Sequence, residues 1–117
     1  MRLDDIAREL GLTELTPDTP GARDTDIDRG YASDLLSDVL AHAPAGGLLV
    51  TLQVHLNVIA VASHADLAAV VFAGGRAPED DVLARAAAEG LVLYSSPADT
   101  FDLVGRLYAL GVKGNHA

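Results

Sequence analysis

The stretch Leu48-Leu49-Val50-Thr51-Leu52 is an apolar run that leads directly into the polar turn Gln53-Val54-His55-Leu56-Asn57. A run that is apolar at nearly every position is typical of a strand buried on both faces of a parallel sheet. Two later pairs of strand and turn repeat the arrangement, Ala68–Phe72 before Ala73-Gly74-Gly75 and Leu91–Tyr94 before Ser95-Ser96-Pro97. Because open α/β sheets bind ligands at the carboxyl ends of their strands, the three turns are predicted to share one functional edge.

Helical periodicity and capping residues place helices around these strands. We predict helices over 3–10, 33–43, 56–63 and 78–89, and a last helix that starts at Ser96 and ends before Gly111. Ser33 and Ser96 are the predicted N-caps, and Phe101 belongs to the predicted apolar face of the last helix. Two short strands, 13–16 and 25–29, could pair with each other, or one could be irregular. The chain is therefore predicted to be one α/β domain with a central, mostly parallel sheet and flanking helices.

The charge balance argues against a nucleic-acid partner. The 117 residues include 17 Asp and Glu against 8 Lys and Arg, which gives a net charge of −9 and repels a phosphate polymer. The segment Asp5–Leu12 resembles the first helix and turn of helix-turn-helix DNA-binding domains. However, Pro17, Pro20 and Gly21 break the stretch where a recognition helix should follow.

The cysteine count and the hydrophobic pattern bound the location. The chain has no cysteine, which excludes disulfides, thiolate nucleophiles and Cys-ligated metals within it. Residues 1–5 lack the apolar core of a signal peptide, and polar residues such as His64 and Asp66 interrupt the longest apolar region, 54–73. We expect a cytoplasmic protein with no membrane partner.

The polar turn after the first buried strand is the first candidate site. Backbone N–H groups at a helix start favour an anion or a polar acceptor, and Gln53, His55 and Asn57 could each add a hydrogen bond. The alternative is that His55 or Asn57 only caps the helix. Gly74 and Gly75 permit positive φ or close approach of the backbone to a ligand, although they also suit a plain turn.

Two further groups are predicted to reach the same edge. Ser33 and Asp34 do so if the strand before them joins the sheet, and Thr100 lies near the start of the last helix. The predicted ligand-binding residues are therefore Ser33, Asp34, Gln53, His55, Asn57, Gly74, Gly75 and Thr100. No triad spacing and no metal-binding motif such as HExxH is present, so we expect no catalytic set, no metal and no cofactor.

Four stretches together resemble a stand-alone DRTGG-type domain: residues 30–38, residues 51–62, Gly74-Gly75 and residues 100–111. The resemblance is clearest from Gly30 to Gly111 within a single domain of residues 1–117. It implies an α/β fold similar to the N-terminal domain of HPr kinase/phosphorylase, used as an accessory module that can dimerise. Small stand-alone versions are often encoded beside iron-only hydrogenases, which implies a hydrogenase-related partner enzyme.

The chain departs from the motif that names this family. Gln53-Val54-His55 stands about where the larger proteins have the Asp-Arg pair, and Ala73-Gly74-Gly75 stands for Thr-Gly-Gly. The resemblance therefore carries over the two glycines but no role of the Asp-Arg pair. The iron–sulfur label given to some small members does not fit a chain without cysteine.

Three functions remain open on the sequence. The leading hypothesis is a non-catalytic regulatory or interaction module that forms a homodimer or docks on a partner enzyme, and that binds a small polar or anionic ligand at the edge. The second is a small enzyme that uses His55 as acid or base with Asp34 or Ser33 nearby. The third is a pure assembly scaffold with an apolar helix face.

Overall fold

Pairing of four parallel strands organises the molecule. The computed structural model describes residues 1–17, 19 and 21–116, so Asp18, Pro20 and Ala117 lie outside the described residues. The strands are β1 (Thr13–Glu14), β2 (Gly30–Ala32), β3 (Leu48–Thr51), β4 (Ala69–Phe72) and β5 (Val92–Ser95). In this part of the chain they form one sheet in the order β1-β5-β4-β3-β2, in which β2 to β5 are parallel and β1 is antiparallel to β5. The predicted mostly parallel sheet is confirmed.

Helices cover both faces of this sheet. They are α1 (Leu3–Leu10), α2 (Leu36–His42), α3 (Leu56–His64), α4 (Asp80–Ala88) and α5 (Thr100–Ala109). Alternate residues of the central strands point to opposite faces. Leu48 and Val50 pack with α1 and α5 on one face, whereas Leu49 packs with α2, α3 and α4 on the other. The core therefore consists of two apolar layers on either side of a fully buried central sheet.

The second short strand lies further along the chain than predicted. The 25–29 prediction is wrong: the strand is β2, and Gly30 is paired in register with Leu48 of β3. Within 25–29 the structure has isolated bridges from Asp26 to Arg2 and from Arg29 to Lys113, and a buried Ile27. Glycine has low strand propensity, which explains why the sequence does not mark β2. β1 and β2 lie at opposite margins of the sheet and do not pair with each other.

The helix predicted to start at Ser33 starts at Leu36. Ser33 is not its cap, because the Ser33 Oγ accepts a hydrogen bond from Leu35 N at 3.2 Å in the loop before the helix. Leu35 is extended, with φ −94° and ψ 106°. Contacts of Asp34 with β3, described below, hold these residues out of the helix.

The last helix also starts later than predicted, and its buried face differs. Asp99, not Ser96, is the N-cap of α5, and its side chain accepts a 2.8 Å hydrogen bond from Asp102 N. Ser96 is buried and accepts from Ala98 N at 3.2 Å, so it shapes the turn before the helix. Phe101 is 88% exposed, and Leu103 takes the core position instead.

None of the helices in the described part of the chain has the length and apolar character that crossing a lipid bilayer requires.

Candidate functional site

The loops that follow the four parallel strands meet at one side of the sheet. These loops, residues 33–35, 52–55, 73–76 and 96–99, are called the turn edge below. Backbone hydrogen bonds join three of these loops to the end of a neighbouring strand: Ser33 N to Val50 O (3.2 Å), Ala73 N to Thr51 O (3.1 Å) and Ser96 N to Phe72 O (2.9 Å). The shared edge that the sequence predicts is therefore present as a continuous surface.

Asp34 ties the loop after β2 to the loop after β3. Its Oδ1 accepts hydrogen bonds from the Thr51 hydroxyl (3.0 Å) and from the Leu52 backbone N–H (2.7 Å). Its backbone oxygen accepts from Gln53 Nε2 at 3.0 Å. The structure thus brings three predicted site residues, Ser33, Asp34 and Gln53, into one hydrogen-bonded corner. Asp34 and Gln53 are both exposed there.

Gly74 and Gly75 form a turn that only glycine adopts readily. Both have positive φ, +68° and +71°, and a Cβ at Gly74 would lie 3.5 Å from Leu52 Cδ2. Gly74 N donates to Ala98 O at 2.8 Å, and Gly75 N donates to Ser96 O at 2.7 Å. Because these amides already have partners, the glycines join the loops after β4 and β5 and do not present free donors to a ligand.

His55 and Asn57 begin α3 at the exposed side of the turn edge. His55 is the N-cap, and its Nδ1 accepts from Asn57 N at 3.1 Å. His55 therefore caps α3, which is the alternative role that the sequence allowed for it. Within the described residues no hydrogen bond joins His55 to Ser33 or Asp34. Thr100, the half-buried first residue of α5, likewise makes no described side-chain hydrogen bond to the other predicted site residues.

A cavity that the sequence reasoning missed lies away from the turn edge, between β2, α5 and the segment after α5. Its volume is about 430 Å³, within the usual range for small-molecule sites. It is lined by Gly30, Tyr31, Ala32, His42, Leu48, Val50, Val104, Leu107, Tyr108, Val112, Lys113, Gly114, Asn115 and His116. We call it the α5 cavity. Two small residues at alternate positions, Gly30 and Ala32, are the signal that could have indicated it, once β2 had been placed.

A charged cluster borders the α5 cavity on the α2 side. The Tyr31 hydroxyl donates toward both carboxylate oxygens of Asp38 (2.8 and 2.9 Å), and His42 Nδ1 lies 2.9 Å from Asp38 Oδ1. The hydroxyl groups of Ser33 and Tyr31, followed by His42, stabilise the carboxylate and lower the pKa of Asp38. The same contact, with some burial, raises the pKa of Tyr31.

A second cavity, of about 260 Å³, lies beside α1 and has a mixed charged lining that includes Arg23 and Tyr94. Arg23 pairs with Glu14 and donates to Thr16 O at 2.6 Å. The Tyr94 hydroxyl is buried without a hydrogen-bond partner among the described residues. Burial raises the pKa of Tyr94, and the nearby Arg23 partly opposes this.

The described residues contain no group of three or more His, Asp or Glu side chains placed to hold a metal ion.

Comparison with known proteins gives a structural neighbour but no sequence relative. No protein-family model matches the chain, and no curated protein matches it in sequence. A crystal structure of the CBS and DRTGG domains of the regulatory region of Clostridium perfringens pyrophosphatase, complexed with the activator diadenosine tetraphosphate, superposes with a TM-score of 0.71. The identity is 13%, over 91% of this chain and 45% of that chain.

This likeness concerns the fold. The expected α/β architecture of the DRTGG kind is consistent with it, whereas the expected links to HPr kinase and to hydrogenases have no support in these comparisons and stay predictions. This chain spans less than half the length of the regulatory region that it matches. A shared fold does not by itself transfer a ligand or an activity.

Proposed function

We propose that this chain is a non-catalytic regulatory or interaction module that binds a small polar or anionic ligand at the turn edge. The observation that carries the proposal is the continuous edge itself. Hydrogen bonds tie the loops after the four parallel strands to neighbouring loops or strand ends, and the side chains of Gln53, His55 and Asn57 are exposed there. Open parallel sheets bind their ligands at this position.

The contacts at this edge favour binding over catalysis. The Nδ1 atom of His55 is occupied by the Asn57 N–H, and Asp34 Oδ1 is occupied by Thr51 and Leu52. A general base must lie within hydrogen-bond distance of the substrate proton that it removes. These groups instead stabilise loops, which is the arrangement expected of a rigid binding surface.

The choice of ligand follows from the structural neighbour. That regulatory region was crystallised with diadenosine tetraphosphate, described as its activator. We therefore propose a nucleotide or another phosphorylated metabolite as the ligand class. The exposed ring of His55 and the exposed amides of Gln53 and Asn57 are the groups available to contact phosphate oxygens.

Calorimetric titration with diadenosine tetraphosphate, ATP and small phosphorylated metabolites tests this proposal. Gly74→Asp should weaken binding by adding a charged side chain beside Leu52, and His55→Ala should weaken it by removing a contact. Gly90→Asp is the matched control, because Gly90 has a similar φ of +70° but lies after α4, away from the turn edge. The proposal fails if none of these ligands binds, or if Gly74→Asp and Gly90→Asp weaken binding equally.

A homodimer is the second part of the proposal, and a cytoplasmic location in keeping with the acidic composition is the third. Leu35 and Leu40 at α2 expose 65% and 47% of their surface, which leaves apolar area for a second copy. Light scattering should give a dimer mass that Leu35→Ser with Leu40→Ser reduces to a monomer. A dimer that no ligand perturbs would instead favour a pure scaffold, on which a partner enzyme, hydrogenase-related by the resemblance, could assemble.

A further inference from the structure

The α5 cavity lies beside two small residues on one face of the edge strand. Gly30 and Ala32 share the sheet face of Leu48 and Val50, since they are paired in register with those two residues. A Cβ at Gly30 would lie 3.1 Å from Val112 Cγ1, whereas Ala32 is exposed, so it is the small side chain of Ala32 that leaves space beside β3 and α5. The floor of this space and most of its helical wall are apolar, whereas Tyr31, His42 and the segment after α5 supply polar groups.

The charges around the cavity are opposite in sign to those of the chain as a whole. The protein has 17 acidic and 8 basic residues, yet among the described residues the cavity is lined by Lys113, His42 and His116 and by no Asp or Glu. Asp38 lies behind this lining, where its carboxylate is engaged by Tyr31 and His42. The charge that remains for a ligand is therefore mainly that of Lys113.

Lys113 is held at the cavity by contacts with Tyr108. Its Nζ lies 4.0 Å from the centroid of the Tyr108 ring and donates to the Tyr108 carbonyl at 3.2 Å. Within residues 1–17, 19 and 21–116 no carboxylate lies at ion-pair distance from this ammonium group. The ammonium group is exposed and belongs to a residue that lines the cavity, so it is available to an anionic ligand.

Specific contacts fix the segment after α5, which forms one side of the cavity. Asn115 Nδ2 donates to the His42 carbonyl at 2.9 Å, and Gly30 N donates to the Lys113 carbonyl at 2.8 Å. These bonds fix the segment after α5 against β2 and α2. The position of Lys113 is thus built into the fold.

We propose that the α5 cavity binds a small organic anion with an apolar body. The carboxylate or phosphate group contacts Lys113, and the aliphatic or aromatic body lies on Val50 and Leu107. This site shares no residue with the turn edge, so it is a binding function additional to the one proposed above.

A two-dimensional ¹H–¹⁵N NMR titration of the full chain tests the site. Octanoate and octyl phosphate are the two anionic probes, and octan-1-ol and octylamine have the same alkyl body without negative charge. We expect at least one anion to shift the amides of Ala32, Val104 and Lys113 and to bind about tenfold more tightly than both comparators. The tighter anion identifies the preferred headgroup. The proposal is overturned if neither anion binds, if a comparator binds as tightly, or if the shifts centre on Gln53 and Gly74.

Charge variants test the role of Lys113. Lys113→Gln should weaken binding of the preferred anion about tenfold. Lys113→Arg, which keeps the positive charge, should retain most of the wild-type affinity. Arg106→Gln is the matched control, because it removes a positive charge from an exposed position on α5 that does not line the cavity. Equal affinities for wild type and Lys113→Gln would overturn the assignment.

A filling variant tests the apolar part independently of charge. Ala32→Leu puts three additional carbon atoms into the cavity and should abolish binding of both anions. Ala109→Leu adds the same atoms at an exposed α5 position outside the cavity and should leave binding unchanged. Dispersed amide spectra verify folding of each variant. Unchanged binding by folded Ala32→Leu would place the anion elsewhere and overturn the proposal.

Discussion

The carboxylate of Asp34, one residue after the position where α2 was expected to start, accepts a 3.0 Å hydrogen bond from the hydroxyl group of Thr51 at the end of β3. Thr51 is fully buried, and its Oγ1 in turn accepts from Gln53 N at 3.1 Å. One carboxylate therefore fixes the spacing between the ends of two neighbouring parallel strands. It also delays the start of α2.

Removal of this carboxylate should destabilise the fold. Asp34→Ala leaves the buried Thr51 hydroxyl and the Leu52 N–H without their acceptor, so we expect a loss of about 1–3 kcal/mol in the free energy of unfolding. Urea denaturation measures it. Asp28→Ala is the control, because exposed Asp28 makes no described side-chain contact. Equal stability of Asp34→Ala and wild type would mean that the two loops are held together by their backbone alone.

Asp38 should make stability sensitive to acid. Its folded-state pKa is lowered from the ordinary 3.8, so the stabilisation is fully present above that value and is lost as the pH falls through the lower folded pKa. Thermal unfolding between pH 2 and 7 should show a smaller acid loss for Asp38→Asn than for wild type. Tyr31→Phe removes only one of the stabilising hydroxyl groups and should lie between the two. Identical profiles for all three proteins would contradict the prediction.

Tyr94 should make stability sensitive to alkali. Burial raises its folded-state pKa above the ordinary 10.0, so the folded protein retains a proton that the unfolded chain releases, and stability declines as the pH rises above 10. Tyr94→Phe should reduce that decline, with Tyr31 responsible for part of the remainder. Since the hydroxyl lacks a described partner, we expect the variant to be as stable as wild type at pH 7, or more stable by about 1 kcal/mol. A large loss in urea denaturation at pH 7 would reveal a hydrogen bond to this hydroxyl.

Two neighbouring residues of α5 should respond oppositely to truncation. Leu103 is 1% exposed and Phe101 is 88% exposed. Leu103→Ala should cost about 2–5 kcal/mol because it opens a cavity in the core, whereas Phe101→Ala should change stability by less than about 0.5 kcal/mol. Chemical denaturation of both variants at the same protein concentration compares them. A comparable loss for Phe101→Ala would show that this ring is covered in solution.

The parts of this fold that the sequence predicts are those set by apolar pattern alone. β3, β4 and β5 are buried on both faces, and α3 must cross between parallel strands, so their order and direction follow from pattern and connection length. The edge strand β2 escapes prediction because Gly30 and Ala32 give little propensity signal, and pairing with β3 decides their conformation.

The errors at helix starts have a common cause. Ser33 and Ser96 are both suitable N-caps by local sequence, but at each position a tertiary contact prevents the helix from starting there. Asp34 is bonded to the end of β3, and Ser96 N is bonded to Phe72 O, and these contacts keep both loops out of the helices that follow them. At the site, the shared edge is predictable from strand direction. The engagement of the glycine amides and the position of Lys113 against β2 depend on contacts far apart in sequence, and no local pattern encodes them.

The short edge strands bear on whether the folded protein aggregates at high concentration. β1 has two residues, and β2 has three, of which Gly30 already donates its amide to Lys113. Another chain can therefore form few backbone hydrogen bonds with either edge of the sheet. The apolar inner strands remain covered by helices. Growth into fibrils from the native state is disfavoured, and copies that do meet must recognise each other through side chains.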